Sequence, residues 1–128
     1  MTTFRELMGN KKSATELSQQ SPLELWFESV LDVPIDSLAI GDLCKAVRQE
    51  VFIEHLIPNV LNVLTEDPLA GEYYDGELIT ALSTIDSKKL KDPKEIFNKI
   101  KGVINKVDHL YIDNELKGSI EKINRMFI

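Results

Sequence analysis

Cysteine and histidine, which often serve as nucleophile, base or transition-metal ligand, are scarce in this sequence. It contains one cysteine, Cys44, and two histidines, His55 and His109, which lie far apart along the chain. Nucleophilic catalysis needs a base and an orienting group that converge on the nucleophile, and no spacing here is typical of such a set. His-x-x-x-His, Cys-x-x-Cys and Glu-x-x-His patterns are also absent. We therefore predict no catalytic residue, no metal site and no cofactor, with Cys44 buried, His55 in the core or at its boundary, and His109 on the surface.

One segment does concentrate side chains suited to recognition. Residues 65–78 include five carboxylates and two adjacent tyrosines but no lysine or arginine. Tyrosine offers a large contact area with a polar end, and carboxylates around it attract a basic partner and accelerate association. We predict that the partner-binding residues are Glu66, Asp67, Glu72, Tyr73, Tyr74, Asp75 and Glu77.

Other interpretations of this segment remain open at this point. Asp67, Glu72 and Asp75 superficially resemble calcium ligands, but the twelve-residue loop pattern with its terminal glutamate is absent. An enzyme that recruits a metal through these carboxylates is a further alternative. The structural alternative is a connecting loop in which Asp67 and Asp75 cap helix ends, one tyrosine packs inward and the remaining side chains are solvated.

The negative charge is concentrated in the middle of the chain. The 128 residues have a formal net charge of −6, yet residues 21–86 contain thirteen acidic and only two basic side chains. Residues 87–128 contain ten basic and six acidic side chains. Direct binding of nucleic acid requires clustered lysine and arginine, so the acidic part favours a basic protein partner. Packing of the acidic segment against the basic one is the alternative explanation.

Apolar residues recur at helical spacing through most of the chain, and no segment alternates with the period of a strand. Residues typical of helix starts precede these stripes: Ser21, Asp42, Asp75, Asp92 and Asp113. Pro58 argues against a central strand and predicts a helix with a bend or break between about residues 50 and 57. We predict an all-α fold, a single irregular or orthogonal bundle of six or seven helices over residues 21–128, after a polar arm at residues 1–20.

Neither secretion nor membrane insertion is indicated by the sequence. The single cysteine cannot form an internal disulfide, and no apolar stretch approaches the roughly 20 residues that span a bilayer. The N-terminal residues lack the basic-then-apolar layout of a signal peptide. We expect a cytoplasmic protein that does not bind a membrane.

Several short motifs resemble those of a known family. The acidic segment reads Asp67-Pro68-Leu69-Ala70 and then Tyr74-Asp75-Gly76-Glu77-Leu78, and Leu56-Ile57-Pro58 precedes it. With Asp42-Leu43 upstream and Thr3-Phe4-Arg5-Glu6-Leu7 near the N-terminus, these motifs resemble the immunity proteins (CdiI) of bacterial contact-dependent growth inhibition (CDI) systems. The resemblance covers about residues 3–85, and no recognised motif covers the C-terminal part.

The resemblance implies a small cytoplasmic protein that binds and neutralises one cognate CDI toxin domain. Such a toxin is the C-terminal part of a large surface protein delivered by a neighbouring cell, and it is commonly a nuclease that cleaves RNA, particularly tRNA. The alternative is an acidic helical adaptor or nucleic-acid mimic that binds another basic cytoplasmic protein. Under both hypotheses the chain is a binding protein, not an enzyme, and makes no direct contact with nucleic acid.

Overall fold

The computed structural model describes residues 2–8, 21–90, 93–107 and 112–126. These residues contain seven α-helices and no strand, which confirms the all-α prediction. The helices are α1 (Phe4–Met8), α2 (Pro22–Val30), α3 (Ile40–Arg48), α4 (Ile53–Glu66), α5 (Glu77–Leu82), α6 (Lys94–Ile104) and α7 (Asn114–Asn124). Two short 3₁₀ helices are also present, at Ile35–Ser37 and Ser87–Leu90.

The contacts divide the chain into two units, residues 1–38 and 39–128. The predicted boundary between an arm and a domain at residue 20 stays a prediction. Three expectations concern residues outside the described ones: the polar arm over residues 9–20, the helix start at Asp92 and the surface position of His109.

The first unit contains α1 and α2. The predicted start of α2 is confirmed, because the hydroxyl of Ser21 accepts a hydrogen bond from the backbone N–H of Glu24 and Pro22 is the first helical residue. Two hydrogen bonds join the guanidinium of Arg5 to the carboxylate of Asp32, at 2.6 and 3.2 Å. Both side chains are exposed, so this pair orients α1 and contributes little to stability.

The second unit contains α3 to α7, among which α5 is the shortest helix. This helix packs against α3 and α7, while α4 packs against α3 and α6. Five of its six residues are buried: Glu77, Leu78, Ile79, Ala81 and Leu82. A short helix can be this buried only when neighbours cover most of its surface. The N-terminal end of α5, and the loop that precedes it, therefore lie beside α3 and α7.

The predicted break between α3 and α4 lies at residues 49–52. Glu50 and Phe52 have positive φ values of 54° and 47°, so the chain leaves the helical conformation there. Pro58 lies inside α4, and α3 begins at Ile40, two residues before the expected start at Asp42. None of the helices in the described residues is long and apolar enough to cross a membrane.

Candidate functional site

Residues 67–76 connect α4 to α5 and are named here the acidic loop. The carboxylate of Asp67 accepts a hydrogen bond from the backbone N–H of Leu69 at 3.1 Å, which forms the tight turn typical of aspartate. The backbone N–H of Gly76 then donates to the carbonyl of Leu69 at 2.8 Å, and that of Leu78 donates to Ala70 at 3.1 Å. These bonds hold the two ends of the loop together.

Asp75 does not cap α5, in contrast to the prediction. The residue that precedes the helix is Gly76, whose φ of 85° lies in the left-handed region, and no side-chain cap is present. Glycine adopts this conformation without the steric cost that a Cβ atom imposes. Asp67, in contrast, does lie at a helix end, as the residue that follows α4.

Glu77 is the structural centre of the acidic loop. Only 1 % of its surface is exposed. One carboxylate oxygen accepts hydrogen bonds from the backbone N–H groups of Glu72 and Tyr73, at 2.8 and 3.1 Å. The other oxygen accepts a bond of 2.9 Å from the guanidinium of Arg48, at the end of α3. A buried carboxylate needs such partners, because burial without them is strongly unfavourable.

The partners keep Glu77 ionised. Burial on its own would raise the pKa of this carboxyl group, but the hydrogen bonds from Tyr73, Arg48 and Glu72 outweigh burial and lower the pKa below its ordinary value. Burial would also lower the pKa of Arg48, yet its hydrogen bonds with Glu77 and with the side chain of Tyr74 raise it instead. The charged pair therefore connects α3, α5 and the acidic loop.

Gly71 allows the acidic loop to pass close to α5. A Cβ atom at this position would lie 2.7 Å from the Cβ of Glu77 and would also overlap the carbonyl of Tyr74. Real Cβ atoms are not found this close, so a side chain at Gly71 would displace the loop. Glycine at this position is therefore a requirement of the close approach.

Glu72 lies against the first turn of α3. A Cβ atom at Gly41, the second residue of that helix, would overlap the carboxylate of Glu72. The positive end of the helix dipole makes this a favourable place for a negative charge. Glu72 nevertheless remains exposed to solvent.

Six of the seven predicted partner-binding residues are exposed: Glu66, Asp67, Glu72, Tyr73, Tyr74 and Asp75. Tyr73 is 81 % exposed and Tyr74 is 49 % exposed. Large aromatic side chains left in solvent on a loop held by internal hydrogen bonds are typical of contact residues. The structure thus brings together two tyrosines and four accessible carboxylates.

Glu77 is the exception, because its burial removes it from any accessible surface. Its role in this structure is to hold the acidic loop in place, which corrects the expectation of an exposed carboxylate. The sequence interpretation also missed Arg48, 29 residues away along the chain. One signal was available, since Arg48 is one of only two basic residues among residues 21–86.

A groove of about 530 Å³ separates the acidic loop from the beginning of α7, and it is named here the α7 groove. Its lining residues are Leu69, Tyr74, Asp75, Ile112, Asp113, Glu115 and Leu116. The carboxylate of Asp113 caps α7 as predicted, by accepting a 2.8 Å hydrogen bond from the backbone N–H of Leu116. Asp113 and Glu115 were not predicted as part of a binding surface, because nothing local in the sequence connects α7 with residues 67–76.

The remaining candidates for chemistry do not form a site in the described part of the chain. Cys44 is fully buried as predicted, and burial together with the nearby charge of Glu77 raises its pKa to about 12. His55 is exposed on α4 beside Glu54, with Nε2 at 3.6 Å from the carboxylate, so the expectation of a core or boundary position was wrong. Within the described residues, no group of three or more side chains could hold a metal ion.

Comparison with known proteins agrees with the resemblance noted in the sequence. The family model described as CDI immunity proteins matches residues 8–100, which include α2 to α5, the acidic loop and most of α6. No curated protein matches the sequence. Because the family model covers well over half of the 128 residues, the chain belongs to the family of CDI immunity proteins.

Proposed function

We propose that this protein binds the cognate C-terminal toxin domain of a CDI system and neutralises it stoichiometrically, and that the toxin is a basic nuclease acting on RNA, particularly tRNA. The observation that carries the proposal is the exposed acidic loop in a member of the CDI immunity protein family. Nucleases bind a polyanion and therefore need basic surfaces, to which this loop is complementary in charge.

The acidic loop suits this role in two physical respects. Three exposed carboxylates of the loop, Asp67, Glu72 and Asp75, and that of Glu66 at the end of α4 give a local negative field, which steers a basic partner and raises the association rate. The positive charge of Arg48 beside them is paired with Glu77. The ion pair between the buried Glu77 and the partly exposed Arg48 fixes the loop before binding, so little conformational entropy is lost when the tyrosines are covered. In this proposal Tyr73 and Tyr74 provide contact area, and Glu66, Asp67, Glu72 and Asp75 provide steering and hydrogen-bond acceptors.

Co-expression tests the function. The toxin domain encoded beside this gene is expressed in the cytoplasm of a bacterium, with and without the protein, and growth and RNA integrity are followed. We expect the toxin alone to stop growth and fragment RNA, and the protein to prevent both. Growth arrest that the protein does not relieve would refute neutralisation. If the toxin alone stops growth without cleaving RNA and the protein restores growth, only the ribonuclease assignment is refuted.

Matched variants test the surface. The triple variant Glu66→Gln, Glu72→Gln and Tyr73→Ala removes two exposed charges and the most exposed ring of the segment. The control is Glu54→Gln with Glu95→Gln and Glu121→Gln, which neutralises exposed carboxylates elsewhere. We expect the first variant to bind the toxin domain at least about tenfold more weakly, since removal of one contact aromatic alone costs about 1–2 kcal/mol or more. Equal affinities of the two variants would exclude this loop from the interface.

A further inference from the structure

The α7 groove offers a specific place for one side chain of the partner. We propose that it receives an arginine side chain from the surface of the toxin domain, an inference that rests on the proposed function. The groove lies beside the acidic loop and shares Tyr74 and Asp75 with it. It therefore extends the proposed interface from the loop onto α7.

The polar groups that line the groove define the charge of its occupant. They belong to the three acidic residues Asp75, Asp113 and Glu115 and to Tyr74, and among the described residues that line the groove none is a lysine or arginine. Ionised carboxylates only accept hydrogen bonds. An occupant must therefore supply several donors together with positive charge.

The apolar part of the lining favours arginine over lysine. Leu69, Ile112 and Leu116 line the same groove as the carboxylates, together with Tyr74. A guanidinium is planar, weakly hydrated and able to stack on an aromatic ring, and its fork of donors matches carboxylates in pairs. The ammonium of lysine keeps its water more strongly and provides no flat face.

Both walls of the groove are held in place before any partner arrives. On one side, the hydrogen bond from Leu116 to Asp113 fixes the first turn of α7. On the other side, Gly76 packs so closely on Leu116 that a Cβ atom would lie 2.6 Å from one of its methyl carbons. The loop and α7 therefore meet at a closely packed junction, and such preorganisation strengthens binding because less freedom is lost.

A binding measurement with charge-matched variants tests the inference. The variant Asp75→Asn with Glu115→Gln removes two groove charges and leaves the Asp113 cap intact. The control, Glu95→Gln with Glu121→Gln, removes two exposed charges that do not line the groove. Affinity for the purified toxin domain encoded beside this gene is measured by calorimetry at low and high salt. We expect the groove variant to bind about 30-fold more weakly than the wild-type protein and the control to stay within about threefold, because the loss of a desolvated charge partner is costly whereas a peripheral charge is screened.

The arginine itself is identified by double-mutant cycles. Each arginine and lysine on the toxin surface is changed to glutamine and is measured against the wild-type protein and the groove variant. We expect one arginine substitution to weaken binding to the wild-type protein at least tenfold and to have little further effect on the groove variant.

The outcomes separate the two proposals. Equal affinities of the groove variant and the control would overturn the groove inference and leave toxin binding intact. Double-mutant cycles in which the groove variant couples to a toxin lysine, or to no toxin cation at all, would have the same consequence. A wild-type protein that does not bind the toxin domain would overturn the proposed function and the groove inference together.

Discussion

Replacement of the buried carboxylate in Glu77→Gln is expected to destabilise the protein by about 2–3 kcal/mol. The carboxylate accepts three hydrogen bonds from the chain, and bonds to a charged group contribute about 1.5–3 kcal/mol each. Glutamine keeps one acceptor oxygen, but its amide N–H group replaces the other oxygen and faces an N–H donor of Arg48 or of the loop backbone. Because the side chain of Arg48 is 36 % exposed, water replaces part of the hydrogen bonding that its guanidinium loses in the variant. The total destabilisation therefore stays below the cost of breaking a fully buried ion pair.

Thermal unfolding followed by circular dichroism measures this effect. A loss of 2–3 kcal/mol lowers the Tm of a domain of this size by about 10 °C. The matched control is Glu66→Gln, the same chemical change at an exposed position at the end of α4, where we expect a change in stability of at most about 0.5 kcal/mol. A Tm for the Glu77 variant equal to that of the control would refute the structural role assigned to the buried pair.

The pH dependence supplies an independent check on the same residue. The folded protein lowers the pKa of Glu77 below its value in the unfolded chain, which is about 4.3. The stability gained from this shift is fully present above the unfolded pKa and is lost as the pH falls through the folded pKa. The stability difference between the wild-type protein and Glu77→Gln should therefore be constant from neutral pH to about pH 5 and should shrink below about pH 4. A difference that grows in acid would contradict the ionised state.

Three further predictions concern other parts of the second unit. The thiol of Cys44, with its pKa near 12 and no exposure, should resist iodoacetamide in the native protein at pH 8 and react on unfolding in urea; rapid native labelling would contradict its burial. Gly76→Ala should lower the free energy of unfolding by about 1–3 kcal/mol because of its left-handed φ and its contact with Leu116, whereas Gly102→Ala, in open space on α6, should raise it by about 0.5–1 kcal/mol. Urea titrations of the two variants check the opposite signs. Asp113→Ala should lower the free energy of unfolding by about 0.5–2 kcal/mol, whereas Asp113→Asn should leave it almost unchanged, because asparagine also caps helices. The Tm of each variant measures the effect, and equal losses would argue against the cap.

Most of the helices could be recognised from local sequence patterns. Helix caps and apolar stripes involve residues three or four positions apart, so they are visible without knowledge of the fold. Ser21 and Asp113 were identified as caps in this way, and both accept the expected backbone hydrogen bonds. Asp75 satisfied the same pattern yet does not cap α5, because the residue that precedes the helix is the left-handed Gly76, which packs closely on Leu116.

The composition of residues 65–78 was also evident, but the internal organisation of this segment was not. The sequence presented five carboxylates as equivalent, whereas Glu77 is buried and the others are exposed. What separates them is the packing of α5 against α3, which brings Arg48 within 2.9 Å of Glu77. No local pattern encodes that approach, because the free energy of a buried ion pair depends on the partners that surround it.

The amino-acid sequence alone thus determined the helical class, the family, the acidic character of the middle segment and the identity of its exposed tyrosines. Only the tertiary structure decided which carboxylate supports the loop and which residues line the α7 groove, where Asp75 and Glu115 meet across forty positions of sequence. The physical reason is that local propensities act over one helical turn, whereas burial and charge pairing act between segments that meet only when α5 packs against α3 and α7.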